Sequence, residues 1–145
     1  MDIKEVIKRW KGNHRYTLKL INAMPLDDGD FKPTPAVKSF LSQCSHITTW
    51  LRTHSRFVMG KKMEKAKVKS IADATLALDE FFEELIHYLE RSSREDLEAK
   101  VKVFYGNVSK LFILQTMDNH LSHHRGQMVI YLRLKGVKPA SYVGW

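Results

Sequence analysis

The sequence predicts an all-α protein, a four-helix bundle with a long connection before the last helix. Four long stretches carry apolar residues at three- and four-residue intervals, which is the spacing of one helix face. Capping and stop residues bracket these stretches. No repeat or linker divides the chain, and its length suits one domain. We therefore expect a single domain over residues 1–145, with helices near 2–24, 35–59, 70–91 and 109–135.

The first two predicted helices are marked by their end residues. Asp2 is a good N-cap, and Pro25 cannot continue the first helix. Thr34 followed by Pro35 matches an N-cap with proline at the first helical position. Gly60 is a suitable C-terminal stop. These signals predict a first helix that ends before Pro25 and a second that begins at Thr34–Pro35.

The third predicted helix begins after Ser70 and ends near the Ser92–Ser93 turn. Its acidic residues indicate a solvated face, because a di-iron bundle needs inward Glu-x-x-His pairs on two helices, whereas His87 lies opposite the apolar stripe. Apolar and polar residues then alternate from Leu97 to Tyr105, which predicts a short extended segment. We expect Gly106 and Asn107 to turn the chain into the last helix.

The last predicted helix contains the densest group of histidines in the chain. His120 and His124 are four residues apart, so their Cβ atoms lie about 5–6 Å apart on one side of a helix, as two ligands of one metal ion require. His123 points away from the apolar stripe. The pair alone lacks a third ligand, so it also fits two simpler arrangements: neutral histidines that bond to backbone or to each other, or one packed ring and one solvated ring.

Composition limits the possible partners. The net charge is +8, and the basic cluster at residues 61–69 lacks any nucleic-acid-binding signature, so we expect a solvated loop and no specific nucleic acid. Uninterrupted apolar runs are far shorter than the roughly 20 residues of a membrane span. Cys44, the one cysteine, is expected to fill the core. It suits a reducing compartment, and the charged start lacks the apolar stretch of a signal peptide, so we expect the cytoplasm.

A longer motif resembles a known family. From His120 to Pro139 the chain reads His-x-x-His-His-Arg-Gly-Gln-x-x-x-Tyr-Leu-Arg-x-x-Gly-x-x-Pro. This pattern resembles the C-terminal signature of the DinB family, DNA-damage-inducible four-helix proteins regarded as metalloenzymes. Similar residues also occur in that family at Trp10, at Phe-Lys-Pro 31–33, at Ser39-Phe40 and at His46-Ile47.

The resemblance implies a metal site and a small-molecule substrate. In such proteins one histidine of the second helix joins the two of the last helix, which implies His46, His120 and His124 here. The choice of His46 rests on the resemblance, because spacing alone does not prefer it to His54. Zinc, nickel, iron and manganese all suit imidazole ligands. The resemblance further implies a homodimer, for which apolar surface on the first and last helices is a plausible contact.

Three neutral histidines leave coordination positions open, which is typical of a catalytic metal site. We expect a divalent-metal-dependent enzyme of hydrolase or thiol-transferase type, because relatives in the wider superfamily include thiol-dependent transferases and isomerases. The substrate and catalytic residues are unassigned. The alternative is a non-catalytic metal-stabilised or basic interaction module in a stress response, with weak nucleic-acid contact.

Several single residues carry further expectations. Arg125 and Gln127 are expected to support the ligands or to pack helices, and Gly126 to allow a neighbouring helix to approach closely. His14 lies near an apolar stripe without an evident partner, which favours a core or pocket-lining histidine. We expect Tyr142 and Trp145 of the tail to pack on the bundle or on a partner.

Overall fold

Four long helices form the body of the computed structural model, which describes residues 2–142. The first long helix packs mainly on the third, and the second packs on the third and on the last. The predicted all-α four-helix bundle, with a long connection before the last helix, is confirmed. The elements in chain order are α1 (Ile3–Ala23), a 3-10 turn (Leu26–Asp28), α2 (Phe40–Met59), α3 (Ile71–Arg91), α4 (Arg94–Glu98), β1 (Lys100–Val103), β2 (Gly106–Ser109) and α5 (Lys110–Leu134).

The helix ends are largely those that the capping residues predicted. Asp2 and Glu5 form a capping box at the start of α1. The Asp2 carboxylate accepts a backbone N–H of the first turn, and the Glu5 carboxylate accepts the backbone N–H of Asp2. Ser70 and Ser109 cap α3 and α5 with their hydroxyl oxygens. Gly136 follows α5 at a φ of 75°, a left-handed conformation that suits glycine.

The predicted start of α2 at Thr34–Pro35 is wrong, because α2 begins at Phe40 with Ser39 as its cap. The hydroxyl of Thr34 instead accepts a backbone N–H two residues later, in a local turn. The N–H of Phe40 bonds the carbonyl of Phe31 at 2.9 Å. A helix that ran through this point would need that donor for its own preceding turn, so the loop contact fixes the later start.

The connection before α5 is more structured than the sequence predicted. Leu97 lies in the short helix α4, and the strands β1 and β2 form an antiparallel hairpin in which Val103 pairs with Gly106. The turn therefore lies at Phe104–Tyr105, and the prediction that Gly106 and Asn107 form it is wrong. Gly106 is the first residue of β2 and has a φ of 140°, a conformation that favours glycine directly after the turn.

A three-way contact holds this connection to the bundle. The ammonium of Lys110 lies 2.6 Å from the Asp96 carboxylate and 2.8 Å from the Tyr88 hydroxyl. Tyr88 donates to the other oxygen of Asp96 at 2.6 Å. Hydrogen bonds from Lys110 and Tyr88 lower the pKa of the Asp96 carboxyl. The contact joins α3, α4 and α5 at the base of the hairpin.

The core is filled by large side chains from the four long helices, including Trp10, Phe40, Phe81 and Phe82. Cys44 lies among them and is fully buried, so the prediction that it fills the core is confirmed. Burial raises the pKa of its thiol to about 12. Within residues 2–142 no helix is long and apolar enough to cross a membrane.

The buried guanidinium of Arg52 connects α2 to the following loop and to α3. The basic stretch 61–69 is a mostly exposed loop, as predicted, and Arg52 ties it down by donating to the carbonyl of Glu64 at 2.8 Å. Arg52 also pairs with Glu80 on the acidic face of α3 at 2.8 Å. That face is thus solvated and ion-paired.

His14 and the tail also differ in part from expectation. His14 has a partner that the sequence did not indicate, because its Nε2 lies 2.6 Å from the Asp79 carboxylate. Its ring also stacks on Phe82. Tyr142 packs edge-on against Tyr16, with ring centroids 5.6 Å apart. Trp145 lies outside the described residues.

Candidate metal centre

Three histidines from two helices converge where α2 packs on α5. α2 supplies His46, and α5 supplies His120 and His124. Nε2 of His120 lies 3.3 Å from Nε2 of His46 and 3.2 Å from Nε2 of His124. The three residues offer nitrogens that all lie within 4.8 Å of one another. Among the histidine, cysteine and acidic side chains of the described residues, these three form the group whose ligand atoms lie close enough together to hold a metal ion.

The spacing suits coordination of a divalent ion. Zinc binds histidine nitrogens at about 2.0–2.1 Å, and two such ligands at a tetrahedral angle lie about 3.3 Å apart. The two measured Nε2 separations from His120 match that value. The three clustered histidines could therefore hold a metal ion.

His124 is oriented by two amides. Its Nδ1 lies 2.9 Å from Oε1 of Gln43 on α2 and 2.9 Å from Oε1 of Gln127 on α5. An amide oxygen only accepts, so Nδ1 carries the proton and donates it. Nε2 therefore keeps its lone pair and directs it toward the other two histidines. This hydrogen bond to the distal nitrogen is the usual support of a metal-binding histidine.

His120 is oriented differently. Its ring stacks on the indole of Trp50, with centroids 3.9 Å apart and planes 19° apart. Its Nδ1 is buried and has no hydrogen-bond partner among residues 2–142. Trp50 shares a face of α2 with His46, four residues earlier. The residue that stacks on His120 thus lies on the same helix face as another candidate ligand.

The environment keeps all three histidines neutral. The pKa of His120 is lowered to about 4, mainly by burial and then by the neighbouring histidines, because a second positive charge would repel the first. Burial also lowers the pKa of His46 and of His124, although the bond to Gln127 opposes the shift at His124. A metal ion needs the neutral form, so these shifts favour coordination near neutral pH.

Neighbouring histidines lie outside the cluster. His123 is exposed on α5 and contacts the amide nitrogen of Gln127 at 3.4 Å. His54 is buried on α2, and its Nδ1 lies 2.9 Å from the carbonyl oxygen of Trp50. The histidine whose ring nitrogen joins those of His120 and His124 in the cluster is His46.

Arg125 joins α5 to α1. It is buried, donates to Oδ1 of Asn13 at 2.8 Å and lies over the ring of Tyr16. Asn13 in turn donates to the buried carboxylate of Asp118 at 2.8 Å, which also pairs with Arg9. The expectation that Arg125 packs helices agrees with these contacts.

The role expected of Gly126 is wrong. A Cβ atom at this position would meet no atom within 4 Å, so the glycine is not needed for a close helix approach. Gly126 is exposed, with α5 turning this side away from the core. The two residues around it, Arg125 and Gln127, make the contacts instead.

Sequence reasoning missed Gln43. It is buried on α2, three residues before His46, and so lies on the same side of the helix. The spacing of Gln43, His46, Trp50 and His54 at intervals of three and four marks a second inward face on α2. A glutamine within such a face is the signal that could have found it.

Comparison with known proteins places the chain in a family. The family model of the DinB family matches residues 1–144. The chain belongs to the DinB family. A comparison with curated proteins gave no match.

Solved structures share the DinB fold at low sequence identity. A DinB-like protein from Bacillus subtilis has a TM-score of 0.79 at 18% identity, with 97% of this chain and 98% of that chain covered. A DinB-like protein from Bacillus cereus has a TM-score of 0.80 at 17% identity, with 97% of each chain covered. A third structure, from Exiguobacterium sibiricum, has a TM-score of 0.72 at 22% identity, with 94% of this chain and 93% of that chain covered.

Proposed function

We propose that this DinB protein is a divalent-metal-dependent enzyme whose ion is held by His46, His120 and His124. The observation that carries the proposal is the convergence of three Nε2 atoms at separations of 3.2 and 3.3 Å around His120. Three protein ligands leave at least one coordination position for a reactant, which distinguishes a catalytic site from a closed structural one. Zinc, nickel, iron or manganese fits the all-imidazole donor set.

The protein's own contribution is to hold neutral, oriented ligands. Gln43 and Gln127 keep the proton of His124 on Nδ1, so that its Nε2 is free to coordinate. When bound, a divalent ion supplies Lewis-acid activation and lowers the pKa of a water or thiol that binds it.

A nucleophile at this site would act without a carboxylate general base beside the ligands. No carboxylate joins the histidine cluster within the described part of the chain. Asp118, two residues before His120, is committed to Asn13 and Arg9 on the other side of α5. A bound divalent ion would lower the pKa of water to about 7 and would deprotonate a coordinated thiol, so neither nucleophile would need a general base. The site therefore suits both thiol transfer and hydrolysis.

Metal content tests the site. Protein purified without a histidine tag or chelator is analysed for metals as the wild type and as the His124→Ala and His123→Ala variants. We expect about one divalent ion per chain in the wild type and in His123→Ala, and loss of the ion in His124→Ala. His123 is the matched control, because it is the adjacent histidine on the same helix and is exposed. Equal metal content in all three proteins would rule out the triad.

Turnover tests the reaction class separately. Metal-loaded and metal-free protein are compared with cysteine and 1-chloro-2,4-dinitrobenzene, where the sulfur replaces chloride on the ring, and with 4-nitrophenyl acetate, where water cleaves the ester. Metal-dependent acceleration of the first reaction alone supports a thiol transferase. Acceleration of the second alone supports a hydrolase. If neither reaction depends on metal, the catalytic proposal loses its support.

A further inference from the structure

Trp50 lies between two histidine rings. Its indole stacks on His120 at 3.9 Å and on His54 at 3.8 Å, and each pair of planes makes an angle of 19°. Two nearly parallel rings this close to one indole would collide on the same face. His54 and His120 therefore lie on opposite faces of Trp50, in a three-ring stack that extends from α2 to α5.

His120 needs an external group to fix its ring plane. The χ2 torsion of histidine is broad, so the side chain alone does not choose a plane. In His124 the hydrogen bonds to Gln43 and Gln127 make that choice. In His120 the corresponding nitrogen, Nδ1, has no hydrogen-bond partner among residues 2–142, although it is buried. Apart from the contacts of its Nε2 with His46 and His124, the contact that constrains the plane of the His120 ring is the stack on Trp50.

His54 holds the other side of the stack. It lies four residues after Trp50, and its Nδ1 donates to the backbone carbonyl of Trp50 at 2.9 Å. It is buried, and its ring contacts Phe57 and the hairpin residue Phe104 only at edge-on distances above 6 Å. The His54 ring is thus fixed to the helix that carries Trp50, and it limits rotation of the indole.

We propose that Trp50, backed by His54, is the positioning residue for His120, and that aromatic stacking takes the place of the hydrogen bond that orients most metal-binding histidines. The inference rests on the proposed metal site. Rotation of the His120 ring would move its Nε2 away from both His46 and His124, which it contacts at 3.3 and 3.2 Å. Loss of the indole therefore weakens metal binding through His120, the ligand that contacts both of the others.

Cobalt(II) titration of the full chain tests the proposal. Trp50→Leu removes the aromatic plane and keeps apolar bulk, whereas Trp50→Phe keeps a ring. We expect the Kd for Co²⁺ to rise about 10-fold or more in Trp50→Leu, as for loss of other orienting groups around metal ligands, and by no more than about threefold in Trp50→Phe. The d–d absorption of bound cobalt should also change in Trp50→Leu, because it reports the ligand geometry.

A matched control separates positioning from packing. Phe57→Leu removes an aromatic ring from the same helix that has no ring contact with the three candidate ligands, and it should bind Co²⁺ as the wild type does. Thermal unfolding of the metal-free proteins measures the packing loss of each variant. A Trp50→Leu protein that melts earlier but keeps the wild-type Kd and cobalt spectrum would overturn the proposal.

Two substitutions at His54 test its part in the stack, one that keeps a ring and one that removes it. His54→Phe retains a ring against the indole and should keep the Kd for Co²⁺ within about threefold of the wild type, whereas His54→Ala should raise it toward the Trp50→Leu value. If His54→Ala and His54→Phe both bind as the wild type does, His54 has no part in the positioning.

An NMR measurement on metal-free protein tests the stacking of His120 on Trp50 separately from metal binding. Stacking on an indole shifts the ring protons of His120 upfield in an NMR spectrum, and His120→Gln identifies those signals by their loss. We expect the shift in wild type and its disappearance in Trp50→Leu. A wild type that shows the shift but binds no Co²⁺ would contradict the proposed function and leave the stacking intact. Unshifted His120 signals would contradict the stacking whatever the metal binding.

Discussion

Gln127 accepts a hydrogen bond from His124, three residues earlier on α5, across 2.9 Å between Oε1 and Nδ1. The amide nitrogen of Gln127 lies on the other side, 3.4 Å from Nε2 of His123. The two contacts agree on the orientation of the amide, because the nitrogen donates to one ring and the oxygen accepts from the other. One glutamine thus contacts both the exposed histidine and the candidate ligand, and it fixes which nitrogen of His124 carries its proton.

Removal of the amides from His124 should weaken metal binding. Gln43 and Gln127 both accept from the same Nδ1, so either can compensate for loss of the other. We expect the double variant Gln43→Leu with Gln127→Leu to raise the Kd for Zn²⁺ about 10-fold or more, and each single variant to raise it less. Competition with a chromogenic chelator measures the Kd. Gln115→Leu, the same change at an exposed position of α5, should bind as the wild type does; a similar loss there would point to a nonspecific effect.

The metal-free protein should lose stability as the pH falls from about 6.5 to about 4. The pKa of His120 is about 4 in the folded state, below the ordinary value of about 6.5 in an unfolded chain. Between these values the unfolded state binds more protons than the folded state, so the free energy of unfolding decreases as the pH is lowered. Above this window His120 does not affect it. Urea unfolding at pH 7 and pH 5 measures the loss.

The His120→Gln variant isolates this histidine from the carboxylates that titrate in the same range. It should lose less stability than the wild type between pH 7 and pH 5, because it has no imidazole that resists protonation. His87→Gln, at an exposed position on α3, should show the wild-type pH dependence. If the His120→Gln and wild-type proteins lose the same amount, burial of His120 does not contribute to the acid sensitivity.

Much of the fold could be predicted because its signals are local. The caps Asp2, Ser70 and Ser109 each act within one helical turn, and the structure places the helix starts beside them. The start of α2 could not be predicted this way. It depends on the bond between Phe40 and the carbonyl of Phe31, and such a contact across a loop leaves no periodic pattern in the sequence.

The candidate site was predictable in part for a similar reason. The spacing of His120 and His124 indicates a shared face without knowledge of the fold. The choice between His46 and His54 depends on how α2 is rotated against α5, which spacing along one helix cannot fix. The structure turns His46 to the pair and turns His54 to the far face of Trp50. Contacts of this kind between helices also explain why Gln43 was missed.

The buried polar contact between α1 and α5 should contribute strongly to stability. Asn13 donates to Asp118 and accepts from Arg125, both at 2.8 Å, and all three side chains are buried. Asn13→Ala removes both bonds and leaves charged groups less well paired, which should lower the free energy of unfolding by about 2–4 kcal/mol. Urea unfolding measures the change. Asn22→Ala, at an exposed position of the same helix, should cost less than about 1 kcal/mol. Equal losses would mean that the buried contact adds nothing.

We expect the chain to form a homodimer through the exposed apolar face of α5. Ile130 and Leu134 lie one helical turn apart and are 50% and 59% exposed, and neighbouring Tyr142 is 62% exposed. Apolar side chains grouped on one helix face are typical of a contact between subunits. Light scattering at micromolar concentration should give twice the chain mass for the wild type and the chain mass for Ile130→Glu with Leu134→Glu, because two introduced charges would be buried without partners. Leu76→Glu on α3, where the leucine is 70% exposed, is the control and should stay dimeric. A wild type that is monomeric, or a double variant that stays dimeric, would exclude this face of α5 as the contact.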